Sequence, residues 1–509
     1  MHLLFTASAD NYITNKIIST TLSASDANVG QASTLDLFKI YDETTFTGFT
    51  GSYSAPTEIS RLLIKFDLNE ISSSISSYAE LDGFKAYLNL KDINGSQIAP
   101  NKFNVAVYPL SNSWDEGRGS DIYAFNDLDQ SNWATASYSN GGYNLWNSQG
   151  ATSLGYLNSE DIDIIGSGSI AGTEKALFST QYFANGHEDL FVDVTTAVSA
   201  TMAGFMNDFG FLVAFSGSEE TDSKTRFVKR FASRHARNEY LRPSMVIRFE
   251  DNINDQRNSM FFNTSGSLFV ENKVRGVGAY FISGSNEEQL SAPDSMVAVI
   301  HSASFAITAS AGPYKSAGKV NQGVYSASFA IDRFSTASLA SNASLYEHVV
   351  ASGSLVMFER WMDSDERVTY YTGSFTIKSP ESSSSESRPN YVVTIKNLAN
   401  AYKKNEVHRL DLHVRDSNKI YKPVRRSLGL ISLRFDEAYY QIRDTRTNDI
   451  IVPFTKSNNA TRISSDATGM YFNLSTKNWP KGRSYTIDVM VVENQKDRIY
   501  ETGQTFKVV

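Results

Sequence analysis

Short apolar runs rich in β-branched and aromatic residues recur along the whole chain, cut off by Asn-Gly, Gly-Ser and Asp/Asn-rich turns. Arg61-Leu-Leu-Ile-Lys-Phe-Asp-Leu68 is one such run, ending in alternation. Phe84-Lys-Ala-Tyr-Leu-Asn-Leu90 and Phe103-Asn-Val-Ala-Val-Tyr-Pro109 follow at sandwich-like spacing. Leu190-Phe-Val-Asp-Val194, Gly210-Phe-Leu-Val-Ala-Phe215 and Ser244-Met-Val-Ile-Arg-Phe249 come later. A strand sends successive side chains to opposite faces, so runs of this length bury themselves by pairing into sheets. The turn residues between them reverse the chain. The pattern predicts one β-sandwich over residues 1–250. A single helix is expected from Thr195 to Met206, with Asp193 or Thr195 as its N-cap.

The texture changes after Asp251-Asn-Ile-Asn-Asp255. Residues 251–380 carry runs such as Ser295-Met-Val-Ala-Val-Ile300 and Ser354-Leu-Val-Met-Phe-Glu-Arg-Trp361, which fit one or two immunoglobulin-like modules. Residues 381–389 are a Ser-rich linker bracketed by Pro380 and Pro389. Residues 390–509 read as a last β-domain whose final strand, Gln504-Thr-Phe-Lys-Val-Val509, is tied into a sheet. The expected fold class is all-β and multidomain, a jelly-roll-like sandwich followed by smaller immunoglobulin-like sandwiches.

Charge is unevenly spread. From Arg388 onward there are 21 Lys+Arg against 12 Asp+Glu, leaving 26 basic and 43 acidic residues before it. An acidic body with a basic C-terminal domain is suited to docking head to tail or on an acidic neighbour, although two unrelated surfaces give the same tally. The chain has no cysteine, so disulfides and thiolate metal sites are excluded. The first nine residues lack a basic n-region and a useful apolar h-region, which predicts no signal peptide. No apolar run approaches a membrane helix.

Several segments, in order, resemble the DNRLRE-type β-sandwich modules, carbohydrate-binding-like jelly rolls of bacterial surface proteins, polysaccharide-active proteins and phage particles. They are Ala9-Asp-Asn-Tyr-Ile13, Asn28-Val-Gly-Gln-Ala-Ser-Thr-Leu-Asp-Leu37, Ser60–Leu68, Ser113-Trp-Asp-Glu-Gly117, Trp133 with Trp146, Asp193-Val-Thr195 leading to Gly210-Phe211, and Pro243 before the closing strand. The resemblance implies that Phe66 and Trp114 belong to the core or its edge, and that Asp67 and Asp193 tie turns to backbone N–H groups. The C-terminal domain looks like a domain of T4-like marine phage structural proteins. That resemblance sits in Tyr391–Leu398, Val407–Leu412, Asp436–Ile442 and Gly469–Leu474. Together the two imply a virion component made in the host cytoplasm.

Catalytic signals are weak. The seven histidines form no His-x-x-x-His or His-x-His pair, and no nucleophile elbow or P-loop occurs. Asp115-Glu116 and Glu219-Glu220 are adjacent residues, which a strand turns to opposite faces, so neither doublet makes an acid/base pair. The expectation is a non-enzyme without cofactor. Jelly rolls of the carbohydrate-binding type do hold structural Ca²⁺, for which Asp10, Asn11, Asp193 and the 251–255 stretch are candidates.

Two stretches are candidate contact sites. The insert carrying Trp133, Tyr138, Tyr143 and Trp146 is where glycan stacking would be sought, but the favoured reading is that both tryptophans anchor a long loop to the sandwich. The basic run Lys224, Arg226, Lys229, Arg230, Arg234 and Arg237 interleaves aromatics. Alternation puts Phe227, Lys229 and Phe231 on one side and Arg226, Val228 and Arg230 on the other, which argues against nucleic-acid binding. It leaves a partner contact or a solvated face. The expected function is a structural part of a tailed-phage virion in the tail, neck or baseplate. It would be present in multiple copies in a symmetric assembly, with other virion proteins as partners and no membrane. The alternative is an adhesin or decoration protein that binds host glycan.

Overall fold

The computed structural model describes residues 1–509 apart from 20–21, 42–56, 70–82, 94–98, 124, 126, 258–259, 285–287, 303–304, 317–318, 332–348, 380–389, 419–431 and 494–495. The expected Ser-rich linker lies outside the described residues.

The first unit is a sandwich. One sheet runs His2–Thr6, Ser244–Arg248, Lys85–Leu90, Leu190–Asp193. The larger sheet runs Ser179–Phe183, Phe103–Pro109, Phe211–Phe215, Thr57–Lys65, Thr34–Tyr41, Arg226–Ala232, and Ala9–Thr14 also pairs with Thr57–Lys65. Every pairing within these two sheets is antiparallel. Leu62, Ile64 and Phe66 face the core between the sheets, with Phe103, Val105, Phe183 and Ile247. Leu63 faces the other way, into a second core with Ile13, Trp114, Trp133, Trp146 and Leu212. The insert after Pro109 covers that outer face. This explains why the 61–68 run is apolar at successive positions: its strand is buried on both sides. Phe66 and Trp114 are both buried, as expected.

The expected helix spans Thr195–Met202, shorter than predicted, and a second, one-turn helix covers Ser218–Thr221. Gly204 turns the chain with φ of +75°, a conformation glycine adopts without strain. Val194 is the formal N-cap, but Asp193 Oδ1 accepts from Thr195 N at 2.9 Å. Asp67 does the same for Asn69 N at 3.0 Å. Both aspartates tie turns.

The second unit is built on a seven-stranded sheet, in the order Met260–Phe261, Thr369–Lys378, Ser354–Asp363, Met296–Ser302, Phe305–Ser316, Lys319–Ile331, Thr264–Glu271, with a separate two-stranded hairpin of Lys273–Val274 and Val277–Gly278. Its first and last strands follow each other in the chain, so the sheet curls and one face encloses a core of Leu268, Met296, Ile300, Tyr325, Trp361 and Phe375. Beneath it, Arg257 bridges Asp255 and Glu359, and Glu359 accepts from Trp361 Nε1 at 2.8 Å.

The third unit is a sandwich of a four-stranded sheet (Tyr391–Ile395, Val407–Asp416, Gly469–Ser475, Ser464–Asp466) on a five-stranded one (Ala401–Tyr402, Lys496–Val508, Ser484–Glu493, Ala438–Asp444, Ile450–Val452). Its core includes Leu410, Leu412, Tyr440, Ile442, Phe472, Tyr485 and Phe506, and Leu4 and Tyr240 of the first unit pack against it.

Candidate functional site

Glu116 joins several distant segments of the first unit. The side chain of Asn28 donates through Nδ2 to Glu116 O at 2.8 Å and to Ser131 O at 2.9 Å, and its Oδ1 accepts from Gly119 N at 2.9 Å. A Cβ on Gly30 would stand 2.0 Å from Glu116 O, so only glycine permits that approach. The Asn28-Val-Gly30 and Trp114-Asp-Glu116-Gly117 segments therefore interlock. The Glu116 carboxylate accepts from Asp10 N at 3.0 Å and receives Arg234 through Nε at 2.5 Å and Nη2 at 2.6 Å. His235 Nε2 lies 3.3 Å from Glu116 Oε1. A ligand atom from each of Asp10, Glu116 and His235 lies within 4.8 Å of the others. Sequence reasoning placed Asp10 among cation candidates but joined neither Glu116 nor His235 to it.

The insert divides its aromatics. Trp133 and Trp146 are 7% and 4% exposed. Trp146 Nε1 donates to Asn132 O at 2.9 Å, and Gly150 N donates to Trp133 O at 2.6 Å. Both tryptophans anchor the loop, as the favoured reading had it, and the alternative, a sugar contact through Trp133 and Trp146, is corrected: their faces are spent on the core. Tyr138 and Tyr143 are different. They face each other across the hairpin Thr135–Ser139 and Gly142–Leu145, 40% and 61% exposed, ring centroids 5.2 Å apart in a T-shape.

The basic run is divided, with Arg226 and Lys229 buried, Arg230 and Arg234 half-buried and Lys224 and Arg237 exposed, which corrects the expected alternation. The register of Arg226–Ala232 against Thr34–Tyr41 shifts between Arg226 and Lys229. Phe227 is thereby left 42% exposed, while Lys229 and Phe231 are fully buried. Lys229 Nζ donates to Asp92 Oδ1, Gly186 O and Glu188 O. Burial lowers its pKa, opposed by Asp92. Arg226 forms a bidentate pair with Asp222 at 2.8 and 2.7 Å, Arg230 with Asp36 at 2.7 and 2.6 Å, and Arg234 with Glu116. Lys224 and Arg237 are exposed. Arg226 and Lys229 therefore form neither a partner surface nor a solvated face, because their charges are already matched inside the sandwich. The remaining calcium candidates do not converge: Asp193 pairs with Lys85 and Asp255 with Arg257.

No protein-family model matches the chain, and neither does any curated protein. Among solved structures, the fibronectin(III)-like modules of Clostridium thermocellum CbhA align at 8% identity over 49% of this chain and 88% of theirs, with a TM-score of 0.14. A chimeric titin tandem aligns at 9% identity over 50% and 94%, with a TM-score of 0.15. Three N-terminal domains of the outer capsid protein Hoc of bacteriophage RB49 align at 6% identity over 99% and 98%, with a TM-score of 0.13. Among the described residues no helix is long and apolar enough to cross a membrane.

Proposed function

We propose that this chain is a non-enzymatic structural building block of a larger particle, a virion component of a tailed phage made in the host cytoplasm. It would assemble in several copies with other virion proteins, in the tail, neck or baseplate. The observation that carries the reading is how its three β-units are fastened. The third unit packs on the first through Leu4, Tyr240 and Tyr485, with Asn478 Nδ2 donating to Leu4 O at 2.9 Å. The segment between the first and second units pairs with the third: Asp255 N donates to Ser465 O at 2.9 Å, and Ser465 N to Ile253 O at 2.8 Å. Such a body transmits load and presents fixed sheet faces and edges to neighbours, whereas modules on free linkers do neither.

A cryo-EM map of the particle with this chain located in it tests the reading. Repeated copies with the first and third units buried against neighbours support it. A chain held at one end, with the Tyr138–Tyr143 hairpin projecting outward, supports the second reading, a glycan-binding decoration protein. The exposed tyrosine pair favours that alternative, because tyrosine rings stack on sugar faces. A glycan screen that loses its signal on Tyr143→Ala would then decide.

A further inference from the structure

Asp10 is 1% exposed, and its two carboxylate oxygens are treated unequally. Oδ2 accepts from the backbone N of Arg234 at 2.5 Å. Oδ1 is buried and meets no hydrogen-bond donor among the described residues. The next residue, Asn11, is fully buried; it donates through Nδ2 to Ser131 and leaves its own Oδ1 without a donor. A buried acceptor without a donor costs about 1–3 kcal/mol, more when it is charged. Here the orphaned oxygen belongs to a carboxylate that has a second carboxylate, Glu116, and an imidazole, His235, beside it. The Arg234 guanidinium hydrogen-bonds to Glu116, and the hydrogen bond from Arg234 to Asp10 comes from its backbone N–H to Oδ2, not to Oδ1.

We propose that Asp10, Glu116 and His235 hold a divalent ion of the first transition row, Zn²⁺ or Mn²⁺. The donor set is one imidazole nitrogen with carboxylate oxygens, which suits those ions, whereas Ca²⁺ takes oxygen ligands alone. The 3.3 Å between His235 Nε2 and Glu116 Oε1 fits two ligands of one ion, since donors about 2.0–2.1 Å from a tetrahedral centre stand roughly 3.3 Å apart. Two carboxylates against the Arg234 guanidinium leave one negative charge for the cation. The three residues come from the strand Ala9–Thr14, the turn after Trp114 and the loop after Arg226–Ala232. An ion there would staple the start of the sandwich, the mouth of its insert and its closing segment, so its role is structural.

The test uses the full chain, stripped with EDTA, then titrated with ZnCl₂, MnCl₂ or CaCl₂ and followed by calorimetry and thermal unfolding. Expected is one Zn²⁺ or Mn²⁺ per chain with a rise in Tm, and affinity weakened at least about tenfold in Asp10→Asn and His235→Ala. Should either variant fail to fold, CoCl₂ added to the wild-type chain decides, since a site with imidazole and carboxylate ligands gives visible ligand-field bands that ZnCl₂ removes. The proposal is overturned if no ion shifts the Tm and no cobalt bands form. It is equally overturned if CaCl₂ alone stabilises and His235→Ala responds as wild type.

Discussion

The guanidinium of Arg61 lies 5.0 Å from the centroid of the Trp133 ring and donates through Nη1 to Gly150 O at 2.6 Å. Its Nε and Nη2 reach Glu220 at 2.9 and 2.7 Å. One side chain of a central strand thus holds two points of the insert and a distant carboxylate. Trp133→Ala should therefore destabilise the first unit by about 3–5 kcal/mol in urea unfolding. Tyr143→Ala deletes an aromatic from the same insert at an exposed position and should stay within about 0.5 kcal/mol.

Lys229 is fully buried against Asp92. Breaking a buried pair leaves the surviving charge uncompensated, so Asp92→Ala should cost about 3–5 kcal/mol. Replacing both partners, Lys229→Met with Asp92→Leu, should recover most of that loss. Equilibrium unfolding of the two single variants and the double variant measures the coupling.

Asp222 carries a pH dependence of known sign. The Arg226 guanidinium, with Lys39, holds its carboxyl well below the ordinary value of 3.8. The folded chain then binds this proton less tightly than the unfolded chain does. The pairing stabilises the fold above the ordinary value and is lost as pH falls from there toward the lower folded value. Asp222→Asn should be destabilised by about 1–3 kcal/mol at neutral pH. The gap to wild type should close as denaturation is repeated at successively lower pH below 3.8.

Tyr240 packs on the third unit, its ring 6.5 Å from that of Tyr485 and 5.1 Å from the Arg483 guanidinium. Removing it should loosen the two sandwiches from each other while each keeps its own core. In scanning calorimetry, Tyr240→Ala combined with Asn478→Ala should split a shared transition into two. Limited proteolysis should then cut between the units.

Much of the β architecture was legible locally. Lys85–Leu90, Phe103–Pro109, Met296–Ser302 and Ser354–Asp363 all fall where apolar runs and turn residues place strands, because a pleated strand imposes its period of two on any segment with one covered face. The Trp114-Asp-Glu116-Gly117 turn was visible as a motif, but not its partners. Glu116 meets Asp10, Arg234 and His235, which are more than a hundred residues away on either side. No local pattern encodes such a pairing.

The sequence by itself determined the strand content, the turns and the absence of thiol chemistry, since each follows from residue types and the preferences of short segments. Only the tertiary structure decided which charges and aromatics are free. A register shift lies between Arg226 and Lys229, and both of these cations are buried in a stretch that reads as a basic surface. The covering insert buried Trp133 and Trp146 and left Tyr138 and Tyr143 in solvent. The physical reason is the same in both cases. Burial depends on what packs over a residue from elsewhere in the chain, and a displacement of one residue along a strand exchanges its two faces.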